Sequence, residues 1–162
     1  VIHLFAIKLD DCFQINNENP KVCSKCGGKC CKSMGCHYSP TDFTNITFET
    51  LKQSIDKGYI SIDWWEGDVF DNDRERTYFL RIRNKKANIV DPSWGGECVL
   101  LTEQGCSLSF NERPMGGRAL TPGTIYDSCI NPYSKEDCCQ EWYPYQDILE
   151  RLVYEYQNYV RM

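Results

Sequence analysis

The sequence predicts an α+β protein: a small antiparallel sheet with flanking helices and irregular, cysteine-rich metal-binding loops. Three observations predict it. Residues 59–65 and 77–84 carry strand patterns, while residues 48–57 and the C-terminal segment carry helical ones. Eleven cysteines in 162 residues fall into two blocks around a cysteine-free middle. No internal repeat or linker interrupts the chain, and its length suits one domain of the usual roughly 100–200 residues. Residues 1–162 are therefore read as a single unit.

The elements follow in chain order. Ile2 to Leu9 is apolar enough for a strand or a helix start. Residues 23–38 hold the first cysteine block, and their glycines and lysines predict irregular backbone. Ser39-Pro40-Thr41-Asp42 has a capping serine, a proline at the first helical position and an acid at the third. Thr47 is a second cap, followed by Phe48, Leu51 and Ile55 at helical spacing and by Gly58 as the terminating glycine. A helix over 48–57 results. Residues 59–65 place Ile60 and Ile62 on one strand face. The acidic stretch 66–76 reads as a solvated loop, since Arg76 stands where a calcium loop needs glycine. In 77–84, Tyr78, Leu80 and Ile82 alternate inward with Arg81 and Arg83 outward.

Residues 97–101 and 106–109 flank Thr102-Glu103-Gln104-Gly105 and predict a hairpin that brings Cys98 near Cys106. Ser109 to Glu112 is a capping box for a short turn limited by Pro114. Residues 115–134, rich in glycine and proline, read mostly as loop. A helix starts at Ser134, is broken or kinked at Pro144, and carries Ile148, Leu149, Leu152, Val153, Tyr156 and Val160 as its apolar stripe.

Charge narrows the function classes. The formal net charge of −5 and the absence of any basic run give no evidence for nucleic-acid binding. No stretch of about 18 apolar residues exists, so no membrane span is expected. Val1 to Leu9 lacks a basic leader and a small-residue cleavage site, so no intact signal peptide is expected.

The cysteines carry the chemistry. The first block is Cys12, Cys23, Cys26, Cys30, Cys31 and Cys36; the second is Cys98, Cys106, Cys129, Cys138 and Cys139. Buried inert thiols account for Cys12 or Cys139, but not for five cysteines between Cys23 and Cys36 with glycine and lysine among them. Secreted disulfides would leave one of eleven thiols over. Metal ligation fits the local chemistry best. In Cys23-Ser24-Lys25-Cys26-Gly27-Gly28, two intervening residues let a tight turn aim both sulfurs at one point. Lys25 and Lys29 offset thiolate charge. Adjacent Cys30 and Cys31 point in different directions and so serve two ions or bridge them. The spacing is not the ferredoxin run, whose third cysteine comes after two residues.

These motifs together resemble the C-x2-C-x3-C-C cysteine-cluster family, described as a zinc- or iron-chelating domain. The resemblance rests on Cys23, Cys26, Cys30 and Cys31, on Gly95-Gly96-Glu97-Cys98-Val99-Leu100-Leu101, on Gly105-Cys106-Ser107-Leu108 and on Glu112-Arg113-Pro114. It covers most of residues 23–122. One departure stands out: the family carries R-P-x-x-C, and here Gly117 takes the cysteine's place. The resemblance then implies that a lost ligand is replaced by Cys129 or Cys138. The same cluster occurs in flagellin lysine N-methylases, which by analogy implies modification of a protein or peptide.

The ligand set expected is therefore Cys23, Cys26, Cys30, Cys31, Cys98 and Cys106, with Cys36, Cys129 and Cys138 next. Eight thiolates would fill two tetrahedral zinc sites, or one iron–sulfur cluster and one zinc. The leading reading is a cytoplasmic metal-binding protein. Its alternatives are an iron or iron–sulfur enzyme acting by redox chemistry or by methyl or sulfur transfer on a protein or peptide partner, and a secreted disulfide protein. No H-E-x-x-H, G-x-S-x-G or phosphate-loop motif is present, so enzymatic activity is left open. His37 is a further ligand candidate, otherwise an ordinary loop histidine. Arg113 reads as a structural clamp and Gly116-Gly117-Arg118 as a tight turn or an anion cradle.

Overall fold

The structure is a computed structural model and describes residues 29–92, 95–122 and 129–159. The expected first strand or helix at Ile2–Leu9, like Cys12, Cys23 and Cys26, lies outside them. The described fold is α+β, with a small antiparallel sheet flanked by helices. Helix α1 (Lys29–Ser33) is followed by a helical turn at Pro40–Asp42, α2 (Phe48–Asp56), and strands β1 (Ile60–Glu66) and β2 (Arg76–Ile82). A small hairpin, β3 (Leu101–Thr102) and β4 (Gly105–Cys106), precedes a turn at Phe110–Glu112 and helix α3 (Met115–Arg118). Then come β5 (Thr121–Pro122), β6 (Cys129–Ile130), α4 (Lys135–Trp142), a tight turn at Tyr143–Tyr145 and α5 (Gln146–Tyr159).

The caps are where the sequence puts them. Ser39, Thr47 and Ser134 each accept a backbone N–H two or three residues on, and each heads a capping box. These bonds satisfy helix donors that would otherwise lack partners. Gly58 ends α2 with φ +97°, a conformation glycine adopts without Cβ strain. Pro144 divides the C-terminal helical segment into α4 and α5.

β1 and β2 pair antiparallel in the register Ile60↔Ile82 to Glu66↔Arg76. Two extended segments widen this hairpin. Residues 36–38 join the free edge of β2, with Ile82 N donating to Cys36 O at 2.9 Å and Tyr38 N to Leu80 O at 2.9 Å. Residues 89–91 join the free edge of β1 through Ile62 N to Ile89 O and Asp91 N to Ile62 O. The core combines Leu51 and Ile55 of α2, Ile60 and Ile62 of β1, Phe79 and Leu80 of β2, Trp142 of α4, and Leu149 and Leu152 of α5. Gln146, fully buried at the start of α5, accepts from Tyr78 N at 2.7 Å and donates to Tyr78 O at 2.8 Å. That pair fixes the last helix on β2.

Three expectations change. Arg81 does not face outward: it is fully buried and pairs with buried Asp63, Nε to Oδ2 3.0 Å. The segment at 88–91 covers that face, and Arg81 also reaches Asp91 O at 3.4 Å. Strand alternation alone cannot reveal such a cover. Second, the cysteine block is not wholly irregular, because residues 29–33 form helix α1. Third, residues 115–134 contain α3 and the β5–β6 ladder as well as loop. Among the described residues, no helix is long and apolar enough to cross a membrane.

Candidate metal centre

Three separate segments carry four thiols toward one another: Cys31 in α1, Cys36 in the edge segment, and Cys98 and Cys106 at the β3–β4 hairpin. Backbone hydrogen bonds stitch these segments together. Cys98 N donates to Cys31 O at 2.6 Å, and Gly96 N donates to Ser33 O at 2.7 Å. The last carbonyls of α1, which the helix leaves without partners, thus hold the second cysteine block. Just beyond β2, Val99 N donates to Arg83 O and Lys85 N to Glu97 O, so the 97–99 segment is also tied to the central sheet.

Asn84 completes the clamp. Its buried amide oxygen accepts from Gly35 N at 3.1 Å, and its amide nitrogen donates to Gly95 O at 3.2 Å. Sequence reasoning missed this residue. Its only signal was a polar side chain just past an alternating strand. Gly35 is required for another reason: a Cβ there would stand 2.1 Å from Ile82 O. The edge segment therefore approaches β2 too closely for any side chain at 35.

The segment carrying Cys36 is held from its other end. Tyr38 O accepts from Trp142 Nε1 at 2.7 Å and from Cys138 Sγ at 3.4 Å. Gly116 N donates to His37 O at 2.9 Å. A Cβ at Gly116 would lie 2.7 Å from His37 N, and one at Gly117 would lie 3.2 Å from Cys36 Sγ. The two glycines of α3 are thus moulded against residues 36 and 37. Gly116-Gly117-Arg118 forms a helical turn, and Arg118 pairs with Asp42 at 2.6 Å. Arg113 acts as a clamp, its Nε donating to Leu108 O at 3.4 Å.

Electrostatics ties the four thiols into one group. Burial pushes the Cys36 thiol well above its ordinary value, and the neighbouring Cys98, Cys31 and Cys106 push it further the same way. Burial also raises Cys98, and Cys106 adds to that, as the hairpin predicts. Backbone N–H groups of Leu100 and Leu101 oppose the rise at Cys98, because hydrogen bonds to sulfur favour its thiolate. Ionised together, such thiols would repel one another unless a cation sat among them. Among the described residues, no three His, Cys, Asp or Glu side chains stand at joint ligating spacing. Thiol sulfur is the donor type that suits a thiophilic ion such as zinc or iron.

The remaining candidates divide. Cys30 lies in α1 and Cys129 in β6, while Cys23 and Cys26 lie outside the described residues. Cys138 is fully buried in the apolar core, next to Cys139, and donates to Tyr38 O. Burial holds its thiol far above the ordinary value, with Cys139 adding to the rise. Cys139 is buried too, its thiol pushed up to about 12 chiefly by burial, as an inert core cysteine should be. His37 packs its ring edge-on to Phe79, with centroids 4.9 Å apart, and neither ring nitrogen has a hydrogen-bond partner. Burial, then Lys135 and Arg81, lowers its pKa to about 4, so it is neutral. Cys36, Cys98, Cys106, Cys138 and Cys139 form no disulfide among the described residues. Compared with protein-family models, with curated proteins and with solved structures, the chain finds no match.

Proposed function

We propose that this chain is a metal-binding protein whose Cys31, Cys36, Cys98 and Cys106 hold one zinc or iron centre. The observation that carries this reading is that backbone hydrogen bonds tie the Cys31 segment to the Cys98 segment and hold the Cys36 segment on the edge of the adjoining strand β2. Cys23, Cys26 and Cys30 extend the same block, and with Cys129 they are the candidates for a second centre. A bound ion would supply the positive charge that turns these thiols into thiolates. Its role in the closed form is structural, because four protein sulfurs leave no position for substrate. Zinc in such sites contributes on the order of 10–16 kcal/mol of apparent folding free energy. We place the protein in a reducing, cytoplasmic setting, where thiols stay available to a metal, and the resemblance to the C-x2-C-x3-C-C family adds a protein or peptide as the partner to seek.

The test is anaerobic purification with metal analysis and a visible spectrum. Stoichiometric zinc in a colourless protein gives the structural version. Iron with sulfide and broad visible absorbance gives a cluster. Cobalt(II) titrated into metal-stripped protein should produce a sulfur-to-cobalt charge-transfer band. Absence of stoichiometric zinc and iron, together with no such band, overturns the reading.

A further inference from the structure

Cys31 and Cys98 meet backbone to backbone. Cys98 N donates to Cys31 O at 2.6 Å, and two residues along each segment Gly96 N donates to Ser33 O at 2.7 Å. The pairing runs antiparallel and sets residue 31 opposite 98 and residue 33 opposite 96. With standard backbone dimensions, a bond of that length leaves the two Cα atoms at most about 6.5 Å apart. Disulfides span Cα separations of about 4.4–6.8 Å. The contact is also clamped from the side. Asn84 accepts from Gly35 N and donates to Gly95 O, so the segment after Cys31 and the segment before Cys98 share one amide. Gly96, with φ +138°, leaves room for that amide, since a Cβ there would stand 3.2 Å from Asn84 Nδ2. Apart from burial, the charges that raise the Cys36 thiol are those of Cys98 and Cys31, then Cys106. The sulfurs of residues 31 and 98 thus share a neighbourhood as well as a backbone contact. Other cysteines are placed differently. Cys106 pairs in register with Leu101, while Cys138 Sγ turns onto Tyr38 O and Cys139 Sγ onto Thr77 O.

We propose that Cys31 and Cys98 form a redox pair, which hydrogen peroxide closes to a disulfide and a small dithiol reopens. Cys31 is half-buried and Cys98 only 4% exposed, so the oxidant reaches residue 31 first. The Cys31 thiol attacks the peroxide O–O bond, becoming a sulfenic acid and releasing one water. The Cys98 sulfur then attacks the Cys31 sulfur and forms the S–S bond. Its proton leaves with the displaced hydroxide as a second water. Two thiols and one hydrogen peroxide thus give one disulfide and two waters. Burial raises the Cys98 thiol, and Cys106 adds to the rise, which suits Cys98 to the resolving step rather than to the first attack. The link joins α1 to the segment that leads into the β3–β4 hairpin. It needs two sulfurs only and holds with or without a bound metal.

The test takes the full chain, reduced, desalted into a chelator and treated with equimolar hydrogen peroxide. Remaining thiols are alkylated, and a non-reducing tryptic digest is mapped by mass spectrometry. The expected product links the Cys30-Cys31-Lys32 peptide to the peptide of residues 87–118, which holds Cys98 and Cys106. C30S and C106S should keep this link, and C31S and C98S should each lose it. A dithiol should dissolve it and return both thiols to alkylation. The oxidised chain should also unfold at higher urea than the reduced chain, because the link closes a long loop across a contact already made. Full alkylation of Cys31 and Cys98 after peroxide overturns the inference. So does a dominant disulfide of Cys98 with Cys106, or of Cys31 with any cysteine other than Cys98. A link that survives in C31S or C98S overturns it too, as does an oxidised chain that unfolds at lower urea than the reduced one. Wild type alone reports the link, so the outcome does not depend on the variants folding.

Discussion

Removing the Asp63 carboxylate should isolate a charge in the interior. Both side chains of the Asp63–Arg81 pair are 0% exposed, and the Nε to Oδ2 distance is 3.0 Å. In Asp63→Leu, Arg81 keeps Ile82 O at 3.1 Å and Asp91 O at 3.4 Å. Its nearest remaining carboxylate oxygen is Asp91 Oδ1 at 3.7 Å, on a side chain 23% exposed. Breaking a buried pair from one side costs about 3–5 kcal/mol. Asp91 supplies partial compensation, so the low end, about 3 kcal/mol, is expected. Against a domain stability of roughly 5–15 kcal/mol that is a large fraction. With a urea slope of about 2 kcal/mol/M, the midpoint should fall by about 1.5 M. Trp142, fully buried in the core, supplies the fluorescence signal. Arg81→Met should also destabilise, because it leaves the buried Asp63 carboxylate without its partner. The double variant D63L/R81M exchanges the pair for apolar side chains and should regain most of the loss. An Asp63→Leu midpoint within about 0.3 M of wild type refutes the reasoning. So do single-variant losses that simply add in the double variant.

Three further perturbations have defined outcomes. Gly35→Ala puts a Cβ 2.1 Å from Ile82 O, in the ladder that holds Cys36; it should cost about 3 kcal/mol or more, the top of the overpacking range, and weaken zinc binding as well. A Gly35→Ala protein with wild-type urea midpoint and zinc affinity would show that the edge segment does not need this approach. Glu141 is raised above its ordinary value by burial, against a hydrogen bond from Ser39 Oγ. A raised folded value means that the folded state keeps its proton where the unfolded state has released it. Wild-type stability from this group is therefore full below the ordinary carboxylate range and is lost as pH rises through the raised value. Relative to wild type, Glu141→Gln should become progressively more stable as pH rises, and a pH-independent difference in urea midpoints rejects that assignment. Cys139→Ala should cost about 1 kcal/mol for the space left in the core, with metal content unchanged; a lost equivalent of metal would make Cys139 a ligand.

Helices and strands were legible because their signals are local. Thr47, Leu51, Ile55 and Gly58 announce α2 within a dozen residues, and Ser134 announces α4 by its side chain alone. The burial of Arg81 was not legible, since its cover comes from residues 88–91, which carry no pattern that names their target. Likewise α1 was hidden: five residues beginning Lys-Cys-Cys offer no periodicity, and its carbonyls are used by Cys98 and Gly96, more than sixty positions on.

The candidate centre divides along the same line. The spacing of Cys98 and Cys106 about a four-residue turn made their approach readable, and burial plus mutual repulsion at Cys98 agrees with it. The approach of Cys36 depends instead on three absences of side chain, at Gly35, Gly116 and Gly117, each facing a different neighbour. A glycine at close approach has no sequence signature apart from being glycine. The sulfur that such a glycine admits is visible only once both strands of the contact are folded. At Gly117 the neighbour is that sulfur itself, 3.2 Å from where a Cβ would stand. A side chain at 117 would crowd the sulfur from 36, so glycine there leaves room for it.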